Sequence, residues 1–239
     1  MLKKKIKKCI CVIPARGGSK RIPLKNIKKF FGKPLIYYSI KNALSSKLFD
    51  KVLVSTDHEK IAHISKKYGA EIHLRSNELS DDITDTSSVM RNVIKYLENK
   101  KLFYEIFCCI YPTSVFTKST DLNLGYKKLN KRINYVFSAT EYDHTIYRSF
   151  LKKNGKIKPI FLNMEKKRTQ DLPKTFYDAA QFYFGWRDSW MKRKKIFLGN
   201  SEFLEISKFE SHDIDNIKDW NTAEKIWKFN KFLKWKLFF

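Results

Sequence analysis

The run Cys9-Ile10-Cys11-Val12-Ile13, closed by Pro14, is apolar at every position, and a strand with that pattern has to be buried on both faces. Lys51-Val52-Leu53-Val54-Ser55 repeats the pattern. Between them, Pro34 is placed to open a helix whose Leu35, Ile36, Ser39, Ile40 and Ala43 gather on one face. Strand, loop, helix, strand is therefore the first unit. A second helix is expected over 59–68 with Gly69 as its stop, then strands at 71–74, 106–111, 135–138 and 181–184. Alternation of this kind builds an α/β domain around a mostly parallel sheet. Such sheets take ligands beyond the carboxyl ends of their strands, so chemistry is expected after Ile13, Ser55 and Tyr111.

The chain has 239 residues, 43% of them hydrophobic, enough for one main domain with a sizeable core. Over 140–174 the periodicity gives way to polar, turn-forming stretches such as Lys152-Lys153-Asn154-Gly155, read as an inserted arm. The formal charge of +25 invites a nucleic-acid or anionic-surface reading, the non-enzyme alternative for this chain. Its lysines are spread along nearly the whole sequence, however, as on solvated faces, so no nucleic-acid partner is expected. No run of eighteen apolar residues occurs, and Met1-Leu2-Lys3-Lys4-Lys5 leads into a strand and not a signal-peptide core. A cytoplasmic protein without membrane insertion is expected. Cys9/Cys11 and Cys108/Cys109 lie in apolar runs without zinc spacing and read as reduced strand cysteines. Near the C-terminus, Asn216 is placed to cap a helix through Trp220, Ala223, Ile226 and Trp227 to Trp235, basic on one side and aromatic on the other. Its aromatic side is expected to pack on the sheet or on a partner subunit, with a membrane-surface role as the alternative.

The segment after the first strand carries the chemistry. Pro14-Ala15-Arg16-Gly17-Gly18-Ser19-Lys20-Arg21-Ile22-Pro23-Leu24-Lys25-Asn26 holds two glycines and four cations besides its prolines. Glycines allow positive φ and close backbone approach, so that N–H groups cradle phosphate oxygens while Arg16, Lys20, Arg21 and Lys25 neutralise charge. Neither the P-loop spacing nor the dinucleotide G-x-G-x-x-G is present, which excludes those two classes. Asp213 and Asp215 stand two apart, a spacing that in extended backbone turns both carboxylates to one side. They suit a hard divalent cation, although such pairs also serve as caps or solvated groups. The five histidines form no triad or metal spacing.

The thirteen-residue string resembles the signature loop of the CMP-sugar synthetases, cytidylyltransferases of the acylneuraminate type. Val54-Ser55-Thr56-Asp57, Leu74-Arg75-Ser76-Asn77-Glu78-Leu79 and His212-Asp213-Ile214-Asp215 resemble further family segments in the same order. The resemblance implies a Rossmann-like nucleotide-diphospho-sugar transferase sheet with helices on both faces and an arm that exchanges between the subunits of a homodimer. It implies transfer of CMP from CTP to a nonulosonic acid. Nucleotide would be held by Ala15, Arg16, Gly17, Gly18, Ser19, Lys20, Lys25, Asn26 and Arg75, with Arg16 and Lys25 catalytic and Mg²⁺ on Asp213 and Asp215. The general base stays unassigned, and Asp57 is left outside the catalytic set as a possible helix cap.

Two segments depart from the sialic acid pattern. Tyr111 stands where a glutamine is expected before Pro112, and Arg168-Thr169-Gln170-Asp171-Leu172-Pro173 with Tyr177-Asp178-Ala179-Ala180-Gln181-Phe182-Tyr183 resembles the pseudaminic acid branch. That resemblance implies a sugar pocket drawing on Tyr111, Arg168, Gln170, Tyr177, Asp178 and Gln181. N-acetylneuraminic, legionaminic and Kdo sugars are the alternatives.

Overall fold

The computed structural model describes residues 8–75, 84–164 and 166–236, and the Ser76-Asn77-Glu78-Leu79 part of the family-like segment lies outside them. The first unit forms as its pattern requires: β1 (Cys9–Pro14), a two-residue hairpin of β2 (Lys29–Phe30) and β3 (Lys33–Pro34), α1 (Leu35–Ser46) and β4 (Lys51–Thr56). There follow α2 (Glu59–Lys67), β5 (Glu71–Leu74), α3 (Thr86–Asn99), β6 (Ile106–Ile110), α4 (Ser119–Lys128) and β7 (Tyr135–Glu141). The arm carries the exposed hairpin β8 (Phe150–Lys153) and β9 (Lys156–Pro159). The chain then returns through β10 (Phe176–Trp186), α5 (Arg187–Met191), β11 (Ser201–Glu205) and α6 (Ile217–Lys236).

Among the described residues these strands build a seven-stranded sheet in the order β11-β7-β10-β6-β1-β4-β5. Only β10 runs against its neighbours, so the sheet is mostly parallel as expected. Alternation along β1 divides the core. Cys9, Cys11 and Ile13 pack with Ile36 and Ile40 of α1, Ile61 of α2 and Leu122 of α4. Ile10 and Val12 face the other way, against Met90, Val93 and Leu97 of α3 and Trp190 of α5. All four cysteines are buried and free.

Local chemistry sets the ends of these elements. Asp85 Oδ1 caps α3 by accepting the Ser88 N–H at 2.5 Å, and Gly69 follows α2 at φ 92°. Asn154 and Gly155, both left-handed at φ 50° and 74°, turn the arm hairpin. Asn216 caps α6 as expected, its Oδ1 accepting the N–H groups of Lys218 and Asp219 at 2.8 and 3.1 Å. The helix does not pack on the sheet, one of the two placements expected for it. Trp220 and Ala223 sit with Ile22, Phe30, Leu35, Tyr38, Phe116 and Ile214, so α6 clamps the loop after β1 and not the sheet.

Candidate active site

The carboxyl ends of β1, β5 and β6 open on a cavity of about 260 Å³, whereas no residue of β4 or of the turn after Ser55 lines it. Its wall includes Arg16, Ser19, Lys20, Lys25 and Asn26 from the first loop, Arg75 after β5, Thr84 and Thr86 at the start of α3, Tyr111 after β6, and Asp213 with Asp215. Residues scattered over two hundred positions thus share one wall, because parallel strands deliver all their following loops to one edge.

The loop is braced from three sides. Ala15 N–H donates to the Ser55 carbonyl, Gly17 N–H to Asp57 Oδ1 at 2.8 Å, and Asn26 Nδ2 to the Arg16 carbonyl at 2.9 Å. Two expectations are corrected here. The N–H groups of Ala15 and Gly17 are already bonded within the protein, and neither they nor Gly18 line the cavity. Nor does either loop glycine adopt positive φ; Leu24 does, at 48°. Gly17 is needed for close approach, since a Cβ there would lie 2.5 Å from the His58 ring, whereas Gly18 faces open space. His58 also caps α2, its Nδ1 accepting the Lys60 N–H. Gly17→Ala is therefore expected to cost about 1–2 kcal/mol, roughly 4 °C in melting temperature, and Gly18→Ala less than about 0.5 kcal/mol. Thermal melts of both variants check this; equal melting of the two would refute the steric reading.

Asp57 is the residue the sequence left undecided. It does not cap α2, a role that belongs to His58, but holds the loop by its bond to Gly17. Its charge also opposes the fall in pKa that burial, with Arg16 beside it, imposes on Arg75. Arg75 is only 9% exposed, and its Nε has no hydrogen-bond partner among the described residues. A buried guanidinium with an unused donor on a cavity wall, facing a second arginine of the same charge, could hold an anion.

Opposite the cations stand the two carboxylates. Ile214 between them is fully buried, so Asp213 and Asp215 both face the cavity. Asp219 fixes their backbone by accepting the N–H groups of Asp215 and Asn216 at 3.0 and 2.9 Å. Burial, then the neighbouring Asp215, pushes the Asp213 carboxyl above its usual range. Asp215 pairs with Arg21 at 3.0 Å and Lys25 at 3.3 Å, and the Lys25 ammonium also donates to the Ile214 carbonyl. Among the described residues no group of three or more His, Cys, Asp and Glu gathers as a metal site. Two carboxylates, one of them held at unfavourable charge, fit a Mg²⁺ ion that draws its other ligands from phosphate and water.

Of the six residues expected at the sugar, Tyr111 alone lines the cavity. Burial pushes its hydroxyl up to about 12, and that hydroxyl bonds Thr86 Oγ1 at 2.8 Å. Behind it, Tyr183 donates to Asp178 at 2.5 Å. Tyr177 packs on Tyr142, and Arg168 and Gln170 lie on an exposed turn of the arm, where Arg168 pairs with Asp171. Gln181 is buried, its amide engaged by Thr117 and the Glu210 carbonyl. None of the histidines lines the cavity; His73, bonded to Ser55, is lowered to about 4 by burial.

A parallel sheet whose first strand ends in a cationic loop facing a carboxylate pair defines a nucleotidyltransferase. A family model described as Cytidylyltransferase matches residues 10–228, and the chain belongs to that family. It is 40% identical over 226 residues to the pseudaminic acid cytidylyltransferase of Campylobacter jejuni subsp. jejuni serotype O:2, covering 93% of this chain and 97% of that protein. It is 34% identical over 218 residues to N-acylneuraminate cytidylyltransferase B of Danio rerio, covering 90% of this chain and 50% of that one. In fold it resembles the solved CMP:2-keto-3-deoxy-manno-octonic acid synthetase complexed with CTP, with a TM-score of 0.71 at 14% identity over 93% of this chain and 99% of that chain.

Proposed function

We propose that this enzyme transfers CMP from CTP to the anomeric hydroxyl of pseudaminic acid and releases pyrophosphate. The observation that carries the reading is the meeting of Arg16, Lys25 and the incompletely bonded Arg75 with Asp213 and Asp215 around one cavity. In the reaction the sugar hydroxyl gives up its proton to solvent, its oxygen forms a bond to the α-phosphorus as the bond to the bridging oxygen breaks, and pyrophosphate leaves. No covalent enzyme intermediate is needed. Arg16, Lys25 and Arg75 bind the phosphates and neutralise charge developing on them, and Asp57 and Asn26 keep the loop in position. Asp213 and Asp215 hold Mg²⁺, which when bound neutralises phosphate oxygens. Lys25, bonded to the Ile214 carbonyl and Asp215, ties the phosphate loop to the carboxylates.

For the sugar, identity of 40% to the pseudaminic acid enzyme against 34% to the acylneuraminate enzyme favours pseudaminic acid. Tyr111 presents an aromatic side chain to the cavity, its hydroxyl already bonded to Thr86, where a fully hydroxylated sugar tail would leave groups unpaired. Each unpaired buried group costs about 1–3 kcal/mol, roughly tenfold or more in specificity. Competition between pseudaminic and N-acetylneuraminic acids is expected to give at least about tenfold higher kcat/KM for the former. Equal values, or preference for the latter, would overturn the substrate and leave the family intact.

We further propose a cytoplasmic homodimer built around the arm, supported by its exposed Phe150, Leu151, Ile157 and Leu162. Sedimentation should report a dimer that Phe150→Ser/Ile157→Ser dissociates; a wild-type chain that stays monomeric at all concentrations would contradict this.

A further inference from the structure

The low amphipathy of α6 has a specific cause. Its first half turns Trp220 and Ala223 inward, and Trp227 packs against the same cluster. In its second half Phe229, Phe232 and Leu233 stand at i, i+3 and i+4, on one face about 180° round the helix from Trp220. They are 49%, 50% and 43% exposed, and Phe209, itself half-exposed, extends the patch with its ring 6.3 Å from that of Phe229. Lys225 and Lys228 flank this row and are exposed, and the sequence has no Asp or Glu from 225 to 239. Helix α6 contains no arginine. No helix among the described residues is long and apolar enough to cross a membrane.

We propose that this face is a peripheral membrane-binding surface that seats on anionic phospholipid. Aromatic and leucine side chains enter the headgroup layer while lysine ammonium groups meet lipid phosphates and carboxylates, the combination by which interfacial helices bind. A second copy is a poor occupant of this face, because a two-fold contact here would set Lys225 and Lys228 against their own copies with no Asp or Glu from 225 to 239 to pair them. Nucleic acid is disfavoured by the lack of arginine forks and by an apolar row at the centre of the patch. The surface lies apart from the catalytic cavity, none of whose lining residues it shares, and the proposal is independent of the sugar substrate.

The test is co-sedimentation of the full-length chain with phosphatidylcholine vesicles, with or without about 30 mol% phosphatidylserine, at low and high salt. The expected result is salt-sensitive partitioning that is at least about a hundredfold stronger on the anionic vesicles. At about fivefold per lysine, Lys225→Gln/Lys228→Gln should lose about twenty-fivefold. Phe229→Ser/Phe232→Ser should lose at least about tenfold and Phe229→Tyr/Phe232→Tyr should keep most of the binding, with melting temperatures unchanged in all three variants. Absence of wild-type binding to anionic vesicles at low salt would overturn the proposal, whatever the variants do. So would serine variants that bind as well as wild type, serine variants that dissociate an oligomer without changing vesicle binding, or tighter binding to duplex DNA than to the vesicles.

Discussion

Lys25→Met and Arg16→Met should each lower kcat/KM for CTP turnover by about 10²–10³ while the melting temperature moves by only a few degrees. Both cations stand on a loop at the rim of the sheet and outside its apolar core, so their loss falls on the transition state more than on folding. Lys25 should be the more costly of the two. Its side chain is only 14% exposed and its ammonium bridges the loop to Asp215 and the Ile214 carbonyl, so Lys25→Met removes a phosphate contact and loosens the carboxylate segment together. Arg21, which also pairs with Asp215, remains to keep that segment in place. Steady-state kinetics with CTP varied, beside thermal melts, give the comparison. Near-normal turnover in both variants would remove the loop from the chemistry.

Asp213→Asn and Asp215→Asn should each raise the Mg²⁺ concentration for half-maximal activity by about tenfold or more, since each removes an anionic oxygen from a hard cation. Their effects on the metal-free protein should differ. Burial and Asp215 hold the Asp213 carboxyl above its usual range, so the folded protein binds that proton more tightly than the unfolded chain. Stability then falls as pH rises from the ordinary carboxylate range through the raised value. Asp213→Asn removes the cost, and the metal-free melting temperature should rise by about 2 °C. Asp215→Asn gives up ion pairs with Arg21 and Lys25 and should bring no such gain. Mg²⁺ titrations that match wild type in both variants would return the pair to a structural role as the anchor of α6.

What the sequence disclosed follows from how local each determinant is. β1 and β4 are legible because continuous apolar runs admit few other uses, and the first loop because its cations and glycines fall within thirteen positions. Asp213 and Asp215 are legible as a pair, their shared side being set by the buried Ile214. Asp57 was not, because its role is a bond to Gly17 forty residues away, and a lone aspartate after a strand has many uses. Thr84 and Thr86 were missed for the same reason: they enter the cavity wall only through the way α3 meets the sheet. The sugar string lies off the cavity wall where backbone geometry changes. Between Asp178 and Tyr183 the pairing of β10 with β7 shifts register, and Ala180 takes φ 51°. That irregularity breaks the alternation of sides. Gln181 is accordingly buried against Thr117 and Glu210, while Asp178 reaches back to Tyr183.

The most direct measurement is product formation from CTP, Mg²⁺ and pseudaminic acid, followed by pyrophosphate release and by phosphorus NMR of the nucleotide. The expected result is one pyrophosphate for each CMP-sugar formed, no release without sugar, and near-complete loss with Lys25→Met. No consumption of CTP with pseudaminic acid or with any other nonulosonic acid would contradict the assignment of CMP transfer to this cavity.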